Sequence, residues 1–225
     1  MTQEQDKEIK KIAVMEDIYR ENDRLAAETR DGLDRRNIFT VNIMGAPGAG
    51  KTSVLRGIIA SMSDTPVAVI EGDIESDIDT KVLRELGINA FQINTGGACH
   101  LDAPMIQTRL ADVQLSDNSI LFIENIGNLV CPAEFQIGEH IKLLIVDATD
   151  GSDKPYKYPL AFEKADGIVL NKCDLKPYVD FDSAFFYKGV QALNRKAPVF
   201  EVSGKTGEGF PAVVAWLKER RACHK

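Results

Sequence analysis

The sequence lacks the features that mark a membrane-spanning, secreted or nucleic-acid-binding protein. None of its apolar runs approaches the roughly 18 residues needed to cross a bilayer, and residues 1–11 are polar, unlike a signal peptide. The 225-residue chain has a formal net charge of -7, so the basic excess typical of nucleic-acid-binding proteins is missing. Its four cysteines follow no disulfide spacing. We therefore expect a cytoplasmic protein with no nucleic-acid or membrane partner.

Histidine is also scarce, and its placement is unusual. Two of the three histidines directly follow a cysteine, in Cys99-His100 and Cys223-His224. Because thiolate and imidazole are ligands that zinc and nickel accept, metal binding becomes a hypothesis to test. We expect Cys223-His224 to lie in a frayed C-terminal tail, with an accessory ligand pair as the alternative, and His140 to be structural.

From residue 38 onward, short apolar runs alternate with helix-like segments. Most of the runs are continuously apolar, which is typical of strands covered by helices on both faces. The pattern predicts an α/β fold of three layers, with a mostly parallel central sheet. Residues 1–36 are predicted to form an N-terminal helical arm that packs on a domain of residues 37–225, with partner binding or dimer stabilisation as the alternative role. The predicted strands are 38–44, 67–71, 90–94, 120–124, 141–146, 167–171 and 199–202, and the later helices are 52–62, 76–86, 105–115, 182–194 and 211–221.

Residues 45–52, GAPGAGKT, fit the phosphate-binding pattern G-x-x-x-x-G-K-[ST] between a predicted strand and a predicted helix. The glycines let successive backbone N–H groups point at a phosphate, and the following helix adds its positive N-terminus. We expect Lys51 to neutralise the β- and γ-phosphates and Thr52 to ligate Mg²⁺. The predicted phosphate-binding residues are Gly45, Gly48, Ala49, Gly50, Lys51, Thr52 and Ser53.

Residues 171–174, NKCD, end a predicted strand and indicate the base. The Asp174 carboxylate can accept two hydrogen bonds from N1 and N2 of guanine, which adenine cannot offer. Asn171 is expected to tie this loop to the phosphate-binding loop, Lys172 to cover one face of the base, and Cys173 to be a spacer.

A glycine-rich turn, residues 203–209, follows the next predicted strand. Ser203, Gly204 and Lys205 are expected to bring a backbone N–H to O6 of guanine. A turn without a ligand is the alternative. Together these segments make GTP or GDP the predicted nucleotide.

Acidic residues close two further strands. Asp73 is expected to hold Mg²⁺, and Glu124 takes the usual acidic position at the end of its strand. The N–H of Gly127 would contact a γ-phosphate and be released on hydrolysis. Asp77 and Asp79 are candidates for positioning water, or else solvated carboxylates at a helix start. The predicted catalytic residues are Lys51, Asp73, Glu124 and Gly127, and turnover is expected to be slow because no arginine finger or catalytic glutamine is evident near Gly127.

Six segments in order resemble the HypB-type hydrogenase nickel-incorporation GTPases. They are residues 45–52, 71–73, 95–101, 124–132, 171–174 and 203–209. The resemblance implies a P-loop NTPase fold of the dimerising SIMIBI class and a slow GTPase that uses Mg²⁺ and assists nickel insertion into [NiFe] hydrogenase. It also implies two partners, a HypA-type nickel chaperone and the hydrogenase large subunit.

The same resemblance makes Cys99, His100 and Cys131 ligands for nickel or zinc. Three ligands per chain leave the site incomplete, so a homodimer linked to nucleotide and metal is expected. Many members of the family also carry an N-terminal cysteine cluster or histidine-rich tract, but here no cysteine precedes Cys99 and no histidine precedes His100. We therefore expect the weaker domain site to carry the metal.

A hypothesis joins the two sites: Cys131 lies four residues after Gly127, so loss of the γ-phosphate would move a metal ligand. In a facing dimer, Lys154 is a candidate for contact with the nucleotide of the partner. Three alternatives remain: a urease-maturation GTPase, although its Cys-Pro-His motif is missing, a P-loop small-molecule kinase, and a GTP-binding switch without a metal.

Overall fold

A computed structural model describes residues 3–62, 64–73 and 77–224, with side chains from residue 15 onward. Seven strands form one sheet in the order β3-β2-β4-β1-β5-β6-β7, and each neighbouring pair is parallel. The α/β fold with a mostly parallel sheet is thus confirmed. The strands are β1 Phe39–Gly45, β2 Val67–Asp73, β3 Asn89–Asn94, β4 Ile120–Glu124, β5 Ile141–Asp147, β6 Gly167–Asn171 and β7 Val199–Glu201.

Helices follow most strands and cover both faces of the sheet. They are α1 Gln3–Asp34, α2 Lys51–Ala60, α3 Ile78–Glu85, α4 Ala103–Ala111, α5 Cys131–Glu134, α6 Lys154–Lys157, α7 Pro159–Lys164, α8 Ser183–Leu193 and α9 Phe210–Cys223, with 3₁₀ turns at Ala148–Asp150 and Cys173–Tyr178. In the described parts of the chain, no helix is both long and apolar enough to cross a membrane.

The predicted helices are all present, with shifted ends. Helix α4 begins at Ala103 rather than at residue 105, because the Asp102 side chain accepts a hydrogen bond from Met105 N and Pro104 occupies the first turn. Proline costs little there, since its missing N–H has no partner within a helix anyway. Ser76, where the predicted second helix of the domain starts, lies outside the described residues.

Three apolar clusters fill the space between the layers. On one face of the sheet, α2 and α9 bury Leu55 and Phe210 against β1. The opposite face carries one cluster with α7 and α8, and another in which Leu33 of α1 packs with Ile106 of α4. A long N-terminal helix therefore contributes to the core.

The helix that follows the phosphate-binding loop is held very close to α9. A Cβ on Gly57 of α2 would overlap the ring of Phe210, the first residue of α9. Glycine at this position lets the ring lie directly against the backbone of α2. The loop before α2 is therefore supported by the core from behind.

Candidate nucleotide and metal site

The loop of residues 45–52 joins β1 to α2 and turns through two glycines. Gly48 and Gly50 have φ angles of 78° and 85°, a left-handed conformation that favours glycine. Ala49 is fully buried, and Lys51 donates to Ala46 O at 3.4 Å. Burial lowers the pKa of Lys51, although the carboxylates of Glu124 and Asp79 oppose that shift.

Asn171, at the end of β6, holds this loop to the rest of the domain. Its Nδ2 donates to Ala49 O at 3.0 Å, and its Oδ1 accepts a hydrogen bond from Gly204 N at 3.0 Å. A Cβ on Gly50 would overlap the Asn171 amide. One buried side chain therefore joins three of the predicted nucleotide-binding segments.

Lys172 continues this contact toward solvent. Its Nζ donates to Gly48 O at 2.8 Å and lies 3.3 Å from Asp147 Oδ2. Asp147 is buried and caps the turn after β5 by accepting from Thr149 N and Asp150 N. Sequence reasoning assigned no role to Asp147, although its place directly after a predicted strand was a usable signal.

The side chain of Asp174 has an unused hydrogen-bonding group. Its Oδ1 is buried and has no hydrogen-bond partner, which is an expensive state unless a ligand supplies a donor. Beside it, Cys173 is turned inward and its Sγ lies 3.1 Å from Leu170 O, while burial raises the pKa of that thiol to about 11. The loop thus offers a carboxylate and withholds the thiol.

The glycine-rich turn after β7 lies next to this loop. Ser203 is fully buried, and its Oγ accepts a hydrogen bond from Thr206 N at 3.1 Å. A Cβ on Gly204 would approach the Ser53 Cβ to 3.1 Å, so the turn touches α2, whereas Lys205 is exposed. The roles assigned to Ser203, Gly204 and Lys205 stay predictions.

A cavity of about 490 Å³ lies in front of the phosphate-binding loop. Residues 71–73 and 124–127 line it together with Lys51 and Thr52. The Thr52 hydroxyl contacts two carboxylates, Glu124 Oε1 at 2.9 Å and Asp79 Oδ2 at 3.2 Å. Asp73 lines the same cavity, so the candidate magnesium-binding oxygens of Thr52, Asp79, Glu124 and Asp73 come from four different strand ends or helix starts.

Two glutamates beside the cavity are buried carboxyl groups. Burial raises the pKa of both Glu71 and Glu124 to about 7, while Thr80 and Thr52 respectively donate hydrogen bonds that act against the shift. The second oxygen of Glu124 is buried with no hydrogen-bond partner. An oxygen-rich set with an unsatisfied carboxylate fits a hard cation such as Mg²⁺.

The structure brings Cys99, His100 and Cys131 together, although 32 residues separate the two cysteines. The Cys99 sulfur lies 3.1 Å from the Cys131 sulfur and 3.6 Å from His100 Nδ1. Burial and the contact with Cys99 raise the pKa of the Cys131 thiol, so a metal must displace a proton to bind it as thiolate.

Aromatic residues support the back of this cluster. The His100 ring lies 4.1 Å from the ring of Phe135, which in turn lies 5.0 Å from Tyr19 of α1. The Tyr19 hydroxyl donates to Glu134 Oε2 at 3.0 Å. Partial burial lowers the pKa of His100, which keeps its imidazole neutral and able to bind a metal. Helix α1 thus packs behind the candidate metal ligands.

The two candidate sites share one backbone segment. A Cβ on Gly127 would lie 3.0 Å from Pro47 of the phosphate-binding loop, and Asn128 pairs with Gly45 in an antiparallel bridge. The Asn128 side chain donates to Cys99 O at 3.2 Å. A single stretch, residues 124–131, therefore runs from Glu124, whose carboxylate contacts Thr52, to Cys131 of the candidate metal site.

The other cysteine–histidine pair lies elsewhere. The His224 ring is 5.4 Å from Phe39, the first residue of β1, and 5.2 Å from the ring of His140, whereas the nucleotide site follows the last residue of β1. His140 Nε2 lies 2.6 Å from Asp34 Oδ1, and its Nδ1 accepts a hydrogen bond from Thr40 N. Lys154 pairs with Asp150 at 3.1 Å.

Comparison with known proteins extends these findings. Residues 39–201 match the family described as the CobW/HypB/UreG nucleotide-binding domain. The hydrogenase maturation factor HypB of Rhizobium leguminosarum bv. viciae is 44% identical over 208 residues, which are 92% of this chain and 70% of that protein.

Two solved structures are also similar. HypB from Helicobacter pylori in complex with nickel superposes with a TM-score of 0.86 at 33% identity, covering 90% of this chain and 95% of that one. HypB from Archaeoglobus fulgidus gives a TM-score of 0.80 at 38% identity, covering 91% and 99% respectively.

Proposed function

The chain belongs to the CobW/HypB/UreG family, among the HypB hydrogenase maturation factors, and from this premise we propose that it hydrolyses GTP to control delivery of nickel to [NiFe] hydrogenase. Nickel is the cargo of this reaction and GTP is its substrate. One observation carries the proposal: residues 124–131 connect the carboxylate that contacts Thr52 to Cys131 of the metal cluster. A change at the γ-phosphate therefore has a short physical route to the cargo.

Guanine selectivity rests on Asp174. Its buried oxygen without a partner is an acceptor that guanine N1–H or N2–H can satisfy. Adenine lacks those donors at the matching positions and would leave the carboxylate unsatisfied. A site built around a buried acceptor discriminates strongly for this reason.

Phosphate binding and hydrolysis fall to the loop and the cavity in front of it. Lys51 and the backbone N–H groups of the loop bind the phosphates, and Asn171 keeps that loop in place. Thr52, Asp79 and Glu124, with Asp73 nearby, would hold Mg²⁺, which neutralises charge on the phosphate oxygens when bound. Gly127 lies against the loop where its N–H can meet the γ-phosphate.

The cysteine–histidine cluster suits a metal that must be released again. Two thiolates and one imidazole match nickel(II) or zinc(II), and Cys99 is exposed at the surface. Three ligands leave at least one coordination position for a donor, an acceptor or a second copy of the chain. A homodimer, a HypA-type nickel donor and the hydrogenase large subunit are the partners this arrangement favours.

Location and domain division complete the proposal. Thiols that must stay reduced to bind a metal suit the cytoplasm. Residues 37–225 would form the GTPase domain, and residues 1–36 the arm that supports the metal ligands through Tyr19.

The proposal is tested by measuring nickel binding in the two nucleotide states. Purified protein is titrated with nickel in the presence of Mg²⁺ and either GDP or a non-hydrolysable GTP analogue, while light scattering gives the mass. We expect nickel affinity and mass to differ between the states, GTP to be hydrolysed slowly to phosphate, and ATP not to replace it. Equal nickel affinity and stoichiometry in both states would contradict the proposal.

A matched variant separates metal delivery from nucleotide binding. Cys131→Ala should lose tight nickel binding but bind GTP as the unmodified protein does, because Cys131 contacts Cys99 rather than the nucleotide cavity. Retention of full nickel affinity in this variant would remove Cys131 from the site.

A further inference from the structure

Four polar side chains cross the core between the nucleotide cavity and the metal cluster. Asn42 lies on β1, Asn125 follows β4, Glu139 precedes β5, and Lys142 lies on β5. They are 0%, 1%, 1% and 4% exposed. Burying two amides and an ion pair is unfavourable unless every group is hydrogen-bonded, so the contacts of this buried polar chain indicate what it holds.

The four side chains bond to one another in sequence. Asn125 Nδ2 donates to Asn42 Oδ1 at 3.2 Å, and Asn42 Nδ2 donates to Glu139 Oε1 at 3.3 Å. Lys142 Nζ lies 2.9 Å from the same glutamate oxygen. Asn42 and Lys142 are register partners on neighbouring strands, which places both on one face of the sheet.

At one end, the buried polar chain holds the segment that follows Cys131. Lys142 Nζ donates to Pro132 O at 3.1 Å and to Phe135 O at 2.6 Å. With Glu139, these carbonyls account for all three donors of the ammonium group. The turn that begins at Cys131 is therefore attached to β5, an interior strand of the sheet.

At the other end, the buried polar chain holds the segment that contains His100. Asn125 Oδ1 accepts hydrogen bonds from Leu101 N at 3.0 Å and from Ile126 N at 3.0 Å. Asn128 adds the bond from its Nδ2 to Cys99 O. Residues 99–101 are therefore attached to residues 125–128, next to Glu124 and the Thr52 hydroxyl.

We propose that Asn125 is the positioning residue that couples the nucleotide to the metal. Lys142, at one end of the buried polar chain, holds the segment after Cys131 on β5, whereas Asn125, at the other end, moves Cys99 and His100 together with residues 124–128 when the γ-phosphate is bound or lost. The inference rests on the proposed function, and it names Cys99 and His100 as the ligands that move, whereas the sequence led us to expect movement of Cys131.

The chain also offers a matched control. Asn22 of α1 is 4% exposed, its Oδ1 accepts a hydrogen bond from Ala103 N at 2.9 Å, and its Nδ2 donates to Gln136 O at 2.9 Å. Asn22 therefore holds the residues that follow His100 and the residues that follow Cys131, the same two segments to which the buried polar chain bonds. Unlike Asn125, it lies on the N-terminal helix and lines no part of the nucleotide cavity.

The test measures how strongly nickel affinity depends on the nucleotide. Full-length protein is titrated with nickel, followed by thiolate-to-nickel charge-transfer absorption, at saturating Mg²⁺ with GDP or with a non-hydrolysable GTP analogue. For the unmodified protein we expect affinities that differ by about 5- to 150-fold, the usual range of coupling between sites. In Asn125→Ala the ratio should fall to near unity and the two spectra should coincide.

The control and a second variant fix the interpretation. Asn22→Ala should lower nickel affinity equally in both states and keep the ratio. Asn128→Ala, at a partly exposed position, should reduce the ratio and serves if Asn125→Ala does not fold. An unchanged ratio in a folded Asn125→Ala or Asn128→Ala variant overturns the inference alone, whereas a ratio of one in the unmodified protein overturns the proposed function and the inference with it.

Discussion

In the proposed function, base selection depends on Asp174, whose surroundings within the protein do not satisfy its carboxylate. One of its oxygens is buried with no hydrogen-bond partner, while the neighbouring Lys172 is occupied with Gly48 and Asp147. Cys173 points away toward Leu170. The loop therefore presents the buried Asp174 oxygen as an unsatisfied acceptor.

Exchanging that acceptor for a donor should change the preferred base. Asp174→Asn places an amide where guanine presents its own N–H donors, so GTP affinity should fall by about 1.5–3 kcal/mol for each charged hydrogen bond lost, at least tenfold. Xanthosine triphosphate offers a carbonyl at that position and should bind better than GTP. Competition binding with the two nucleotides measures the change.

Asp180→Asn is the control for this substitution. It removes the same charge six residues away at an exposed position, so it should leave the preference for guanosine intact. If Asp174→Asn also keeps that preference, then Asp174 does not read the base.

At the scale of elements, α1 is joined to the sheet by a buried histidine. His140 accepts a hydrogen bond from Thr40 N through Nδ1, so its proton lies on Nε2, which donates to Asp34 at the end of α1. The His140 side chain is only 3% exposed, and burial lowers its pKa in spite of the Asp34 carboxylate. The contact therefore depends on a neutral imidazole.

This arrangement predicts how stability changes with pH. Because the folded-state pKa of His140 lies below its ordinary value of 6.5, the unfolded chain binds the proton first as pH falls. The stabilisation is present above pH 6.5 and is lost as the pH drops from there through the folded-state pKa. His140→Asn can still accept from Thr40 N but does not titrate, so it should unfold more easily at neutral pH and show a flatter dependence between pH 7 and 5.

Denaturant midpoints measured across this pH range test the prediction. Asp34, Arg30 and His224 also act on His140, so Asp34→Asn serves as a second measurement and should lower the stability at neutral pH as well. Parallel pH profiles for His140→Asn and the unmodified protein would show that another group causes the loss.

Elements with a strong local signal were predicted from the sequence, and the others were not. Most of the seven strands are largely apolar runs, and their predicted ends differ from the structure by two residues at most. Helices α5, α6 and α7 were missed because they have only four to six residues, with proline in the first turn, and show no helical periodicity.

Among the candidate site residues, motifs could be recognised but contacts could not. Cys99 and Cys131 were predicted as ligands from their motif, yet their 3.1 Å separation depends on the path of β4 and the turn after it. Lys142 was predicted only as part of an apolar strand. Its hydrogen bonds to the carbonyls of Pro132 and Phe135 link β5 to a separate segment, and no local sequence pattern indicates that link. Such polar contacts through the core follow only from the order of strands.

At the scale of the whole molecule, β1 divides the sheet into two halves. Strands β5, β6 and β7 lie on one side, and their ends carry Asp147, residues 171–174 and the turn after β7. Strands β2, β3 and β4 lie on the other side and lead into residues 71–73, Cys99 and residues 124–131. The candidate base-recognition residues and the candidate metal ligands therefore occupy opposite halves, joined through the phosphate-binding loop.

This division predicts that the two properties can be changed separately. In Asp174→Asn, a non-hydrolysable xanthosine triphosphate analogue should alter nickel affinity by the same factor that the GTP analogue produces in the unmodified protein. The reason is that residues 124–127 line the cavity in front of the phosphate-binding loop, so in the proposed complex they face the phosphates rather than the base. A nickel titration with each protein and its matching nucleotide measures this, and a nucleotide-bound variant without any change in nickel affinity would refute it.

Because the strand order separates the two candidate sites, the nucleotide that controls the protein can be exchanged without altering the metal ligands. In a cell that contains the Asp174→Asn variant beside its ordinary GTPases, xanthosine triphosphate would act on this protein and not on the others. Adding that nucleotide would trigger one metal transfer at a chosen moment. The half of the sheet formed by β5, β6 and β7 would determine which nucleotide acts.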